Sequence, residues 1–185
     1  MSAEFKLANP GPLGLMGFGM TTVLLNLHNA GFFPNTSIVL AMGLCFGGMA
    51  QVLAGLLEFT KGNTFGTVAF TSYGFFWLSL VAIWVLPVLG WAEAPSHAYM
   101  GCYLLLWGIF TLFMFLGTFK ASKMLSFVFG SLTLLFFLLA LRDFSGSAAI
   151  GTLAGYVGLI CGGSAMYLSM AEVLHEQHGR KFLPY

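Results

Sequence analysis

The chain has 185 residues, of which 58% are hydrophobic and only 7% charged, and its net charge is +1. Soluble domains carry roughly a quarter charged residues, and seven Lys/Arg with six Asp/Glu cannot supply a water-facing surface for a chain of this length. A water-soluble globule is excluded, as the mean hydropathy of +0.90 also requires, and the near-neutral balance gives no basis for nucleic acid as a partner.

The few charges divide the chain into apolar stretches. No Asp, Glu, Lys or Arg lies between Lys6 and Glu58, Lys61 and Glu93, Glu93 and Lys120, Lys123 and Arg142, or Asp143 and Glu172. A spanning helix takes about 20 apolar residues at about 1.5 Å each. The first gap holds two spans, separated by the turn signal Asn29-Ala30-Gly31-Phe32-Phe33-Pro34-Asn35. Each other gap holds one. The expected fold is an all-α integral membrane protein of six transmembrane helices, near 12–30, 36–58, 66–90, 98–119, 123–141 and 149–174. The loops are short, so residues 1–185 read as one domain. Nothing at the start resembles a cleaved signal peptide, so the first span is expected to stay as structure. Lys6, Lys61, Lys120, Lys123, Arg180 and Lys181 fall on one side and Arg142 on the other, which predicts both termini in the cytoplasm.

The first helix opens with Asn9-Pro10-Gly11-Pro12, an N-cap residue followed by prolines suited to a first helical turn. Its dipole would place partial positive charge there, a possible resting place for an anion at the cytoplasmic mouth as well as an ordinary cap. Phe18, Thr22, Asn26 and Asn29 follow at spacings of four, four and three, on one face. For Thr22, a water path and an interhelical hydrogen bond are both open. For Asn26 and Asn29, near the outer mouth, a path is expected. His28, at the outer end of the same helix, fits an interfacial role.

In the second helix Gln51 and Glu58, seven residues apart, share a face. Glu58 stands where that helix reaches the interface and is expected to be a solvated helix end. Gly43-x-x-x-Gly47, Gly151-x-x-x-Gly155 and Gly158-x-x-x-Gly162 are spaced for close helix packing within or between subunits. Cys45, Cys102 and Cys161 each fall mid-span without C-x-x-C spacing and are expected as small buried apolar residues. His175 and His178 belong to a charged tail. No catalytic triad, H-E-x-x-H, P-loop or dinucleotide fingerprint occurs, so no enzyme activity, metal or cofactor is expected. No buried Lys or Arg is foreseen to meet an anion, leaving helix N-termini and Asn/Thr groups as donors.

Asn9-Pro10-Gly11-Pro12-Leu13-Gly14-Leu15 resembles the N-P-A-P-L-G-L signature of the acetate uptake transporter family. Leu24-Leu25-Asn26-Leu27-His28-Asn29, Gly62-Asn63-Thr64-Phe65-Gly66, Thr71-Ser72-Tyr73-Gly74, the run from Trp107 to Met114 and Glu172-Val173-Leu174 are similar to it too. Gly11 departs from the signature Ala, and His175 from Asn. The resemblance implies homo-hexamers in a bacterial cytoplasmic membrane, surrounded by lipid, each subunit passing acetate and, in bacteria, succinate. It also implies a hydrophobic constriction at Phe18, Tyr73 and Leu132, with substrate contacts at Asn9, Pro10 and Leu13 and along a pore past Thr22, Asn26, Asn29, Gln51, Glu58 and Thr71.

Those constriction positions lie six, seven and nine residues from Pro12, Gly66 and Lys123. In three helices running the same way, they share a depth of about 9–14 Å. Three bulky side chains at one level can close a pore by dewetting. The scarcity of mid-span titratable groups favours passage of the anion itself over proton symport. A urea/amide channel and a membrane scaffold without a permeant are the rival readings.

Overall fold

The structure, a computed structural model, describes residues 7–34 and 37–185. Six helices account for most of it: α1 (Gly11–Asn29), α2 (Ser37–Thr60), α3 (Thr64–Val88), α4 (His97–Gly117), α5 (Lys123–Ser145) and α6 (Ala148–His178). Among the described residues there is no strand. The ends fall within a few residues of the charge-gap boundaries because caps sit where the charges do. Asn63 Oδ1 accepts from Gly66 N at 3.1 Å, Ser96 Oγ from Tyr99 N at 3.2 Å and Ser122 Oγ from Leu125 N at 3.1 Å. Gly146 and Gly179, at φ 67° and 65°, close α5 and α6 in the left-handed conformation that glycine adopts without strain.

Helix α2 is not regular. It consists of two α-helical stretches, Ser37–Leu44 and Gln51–Thr60, joined by a π-helical turn over Cys45–Ala50. Such a turn is rare and needs room on its flanks. Glycines supply it: a Cβ on Gly17 of α1 would stand 2.5 Å from Phe46 O, and one on Gly74 of α3 would stand 2.9 Å from Gly48 O.

The helices form a ring in chain order, closed by α6 packing along α1, with α3 against α4 as its loosest seam. The α1–α6 closure is built on glycine. Gly19 and Gly162 abut each other's backbones, and Gly155 receives the chain at Asn29 and Ala30. The glycine spacings read from the sequence thus serve contacts inside one chain. Gly155→Ala would drive a methyl into the Ala30 backbone, where Cα lies 2.6 Å from the Cβ position. The expected cost is about 1–3 kcal/mol. It should appear as a lower melting temperature in detergent, and an unshifted melt would refute the tight closure.

Burial is inverted relative to a soluble protein. Asn26 and Gln51 are 1% exposed, whereas Phe113 is 69% exposed. Helices α2 to α6 are each long and apolar enough to cross a bilayer, and the chain is a multi-pass membrane protein. Cys161 is buried as expected, but Cys45 and Cys102 lie on the outer surface, where a small thiol meets neighbouring apolar groups at little cost. At the end where α4 begins and α5 finishes, His97 Nδ1 lies 3.3 Å from Asp143 Oδ1. Arg142 Nη2 donates to the same carboxylate at 2.9 Å.

Candidate pore and its mouth

Three adjoining cavities run from one end of the ring into it. The outermost, about 410 Å³, is bounded by Leu7, Asn9, Lys61, Glu172, His175, Glu176 and Tyr185. It shares Asn9 and Glu172 with a second of about 190 Å³, whose walls include Gly11, Glu58, Asn63, Gly66 and Leu125. This in turn shares Leu15, Ala69, Phe70 and Phe129 with a third of about 20 Å³, little more than one water requires. The N-termini of α1, α3 and α5 all reach the second cavity, through Gly11, Asn63 with Gly66, and Leu125. Three positive dipole ends therefore face the space where an anion would sit.

The smallest cavity contains Phe18, Tyr73 and Leu132 together, on α1, α3 and α5, as the shared depth requires. The Phe18 and Tyr73 rings are 6.1 Å apart, and Tyr73 is 6.1 Å from Phe129. Helix α4 stays outside this constriction but holds it. Thr111 Oγ1 accepts from the Tyr73 hydroxyl at 3.0 Å, and Phe110 packs on the same ring at 5.6 Å. Leu15, Phe70, Val128 and Phe129 also line the wall. Each sits three or four residues before a foreseen constriction residue, so helical spacing alone could have named them.

The mouth is bound by its polar groups. Asn9 Oδ1 accepts from Gly11 N and from Lys61 Nζ, both at 3.1 Å, and Asn9 Nδ2 donates to Glu172 Oε2 at 3.1 Å. The N-cap of α1 is Pro10 rather than the expected Asn9, whose oxygen instead holds the first helical N–H from one residue further out while the side chain faces the cavities. Pro10 is buried in the entry turn of α1, where its carbonyl accepts from Gly14 N at 3.3 Å. Leu13 is exposed on the outside of α1 and lines none of these cavities.

Glu58 corrects the expectation of a solvated helix end: it is only 2% exposed. The α2–α3 turn folds back over it, so that Asn63 Nδ2 donates to Glu58 Oε2 at 2.8 Å. Lys61 Nζ stands 3.8 Å from the same oxygen. Lys61, Asn63 and Glu172 line these cavities without having been foreseen there, because their partners are distant in sequence or lie around a turn.

The remaining polar positions separate. Gln51 lines the constriction with its Oε1 buried and unpartnered. The Thr22 Oγ1 is likewise buried without a partner. Asn26 turns to α6, its amide lying against Gly158, donating to Thr22 O at 2.9 Å and accepting from Asn29 at 3.0 Å. A residue eight beyond Phe18 is rotated by about 80° from it, which carries Asn26 off the cavity side and onto the neighbouring helix. Thr71 packs on Gly55 between α3 and α2, its Oγ1 also unpartnered. The His28 ring bonds Phe33 O at 3.0 Å, holding the α1–α2 turn.

The model of the GPR1/FUN34/yaaH family matches residues 2–183. The chain belongs to the GPR1/FUN34/yaaH family. This family member is 64% identical over 179 residues to the succinate-acetate/proton symporter SatP of Escherichia coli K12, spanning 97% of this chain and 95% of that protein. It also matches a structure described as the bacterial acetate channel SatP, with a TM-score of 0.96 and 64% identity over 97% of this chain and 99% of the other. The first description names a proton and the second does not.

Proposed function

We propose that this chain carries acetate and related small carboxylates such as succinate across a bacterial cytoplasmic membrane, through a pore inside each subunit. The observation that carries the reading is the series of adjoining cavities, sharing wall residues and diminishing in volume from a polar mouth toward Phe18, Tyr73 and Leu132. The 64% identity to a succinate-acetate/proton symporter supports the substrate class. A carboxylate leaving water loses its hydration at heavy cost unless donors replace it. Three helix N-termini lend partial positive charge there, and the Asn9 and Asn63 amides line the same space while bonded to Glu172 and Glu58. Gln51, within the constriction, would supply a hydrogen bond where the walls are otherwise apolar.

All six helices cross the membrane in this reading, α1 included, its glycines and polar residues covered by α2, α3 and α6. The mouth faces the cytoplasm, since Lys61, Lys120, Lys123, Arg180 and Lys181 gather at that end and Arg142 at the other, Lys6 lying outside the described residues. The subunits assemble as a homo-hexamer, as the family resemblance implies. The test is uptake of labelled acetate into liposomes containing the purified protein, with urea as control. Acetate entry without urea entry is the expected result. Urea passing as readily as acetate, or no flux of either, would overturn the proposal.

A further inference from the structure

We propose that Thr111 is a positioning residue that sets the pore against hydroxy acids, by holding the Tyr73 hydroxyl away from the constriction. This role rests on the transport reading above and adds to it a residue that lines none of the three cavities.

Of the residues around the smallest cavity, only Gln51 and Tyr73 carry a polar side-chain atom. Where the Tyr73 hydroxyl points therefore decides how polar that space is. Its partner fixes the direction. The Tyr73 hydroxyl donates to Thr111 Oγ1 at 3.0 Å, and the Thr111 hydroxyl donates in turn to Trp107 O at 2.7 Å. A threonine hydroxyl has a single hydrogen. With that hydrogen committed to Trp107, Thr111 can only accept, and Tyr73 is the donor. Thr111 is wholly buried and belongs to α4, no residue of which lines the cavity. The polar end of Tyr73 is thus turned into the α3–α4 seam, and the lumen meets its ring.

That seam is where the circle of helices is loosest, so backbone packing does not enforce the orientation. Rings flank Tyr73: Trp107 and Phe110 of α4 at 6.2 and 5.6 Å, Phe18 and Phe129 at 6.1 Å each. Such packing confines the ring but does not choose a partner for its hydroxyl; the Thr111 bond does. Without that acceptor the hydroxyl is left buried and unpaired, which costs more than the bond itself contributed. The cavity offers a replacement, since Gln51 Oε1 lies there buried and unpartnered. A hydroxyl turned toward the lumen would wet a passage that closes by excluding water. It would also give a hydroxy acid a second hydrogen-bonding partner where its own hydroxyl is stripped of water.

Propionate and lactate separate polarity from size, because they share a three-carbon carboxylate skeleton and differ by a single hydroxyl. Initial uptake rates of the two labelled acids are measured in liposomes containing the purified protein. The wild type should favour propionate. In T111V the propionate-to-lactate ratio should fall about tenfold, within the roughly hundredfold that an apolar pocket sets against an added hydroxyl. T111S keeps the acceptor and should keep the wild-type ratio. On a Y73F background, which has no hydroxyl to release, T111V should leave the ratio where Y73F alone puts it. T111A carries the same expectation as T111V if the latter fails to insert. An unshifted ratio in the variant that inserts, or the same shift on the Y73F background, would overturn the role of Thr111. Failure of both T111V and T111A to insert would overturn it too, since the bond would then hold the fold rather than the pore. A wild type that takes up acetate but admits lactate at least as readily as propionate would overturn the role while leaving the transport reading intact. One that takes up none of the three acids would overturn both.

Discussion

Leu132→Ala is expected to raise uptake of lactate and succinate relative to acetate by about tenfold or more, since one methylene in an apolar pocket is worth roughly 10–200-fold in discrimination. Leu132 is buried on the smallest of the three cavities, with Phe18 and Tyr73 around a space of about 20 Å³. Its removal shortens one wall without touching a polar group. Tyr73 keeps its bond to Thr111 and its packing on Phe110, so the rest of the ring stays in place. Phe18→Ala should act in the same direction but less cleanly, because Phe18 also packs on the Tyr73 ring. Competition of each acid against labelled acetate is the measurement. A flat selectivity series in an inserted, active Leu132→Ala protein would remove Leu132 from the constriction.

Asn9→Asp should weaken apparent acetate affinity by an order of magnitude at neutral pH. The substitution keeps oxygens able to accept from Gly11 N and Lys61, but loses the Nδ2 that donates to Glu172. Two carboxylates then stand within hydrogen-bond distance with no hydrogen between them, beside the space an anion must enter. Protonating either one removes the repulsion, so the deficit should be largest at high pH and shrink as pH falls. Asn9→Ser, which retains a capping oxygen and adds no charge, should be milder at every pH. Equal, pH-independent losses in the two variants would reduce Asn9 to a cap for α1. The measurement is the concentration dependence of acetate uptake across a pH series.

The helices were legible because lipid forbids charge at depth, so charges mark where helices stop. Lys61, Glu93, Lys120 and Asp143 each lie at or beside a turn. The meeting of Phe18, Tyr73 and Leu132 on one cavity was equally accessible once depth was counted along α1, α3 and α5, since rise per residue is nearly constant. Rotation was harder. Asn26 shares a nominal face with Phe18, yet the small overshoot of each four-residue step carries it onto α6. The environment of Glu58 was not readable at all. Whether a carboxylate at a helix end meets water depends on the turn that follows, and here Asn63 brings that turn back over it. That Glu58 and Glu172 line the same cavity depends on the ring closing α6 onto α1, a contact between distant parts of the chain. The π-helical turn was hidden for a different reason: residues 38–50 carry no charge or strongly polar side chain, so they show no periodicity to interrupt.

That turn also bears on where the chain can change length. A π turn accommodates one residue more than the surrounding helix needs. Loss of a single residue within Cys45–Ala50 would let the wide loop of backbone close into ordinary helix. Ser37–Leu44 and Gln51–Thr60 would keep their mutual rotation, and Gln51 and Glu58 would still face the cavities. The same loss between Gln51 and Glu58 would swing the carboxylate by roughly 100° around the helix axis. Helix α2 thus has a slack window beside a stretch whose register is fixed, and a deletion is tolerable in the first while it disconnects the mouth from the constriction in the second.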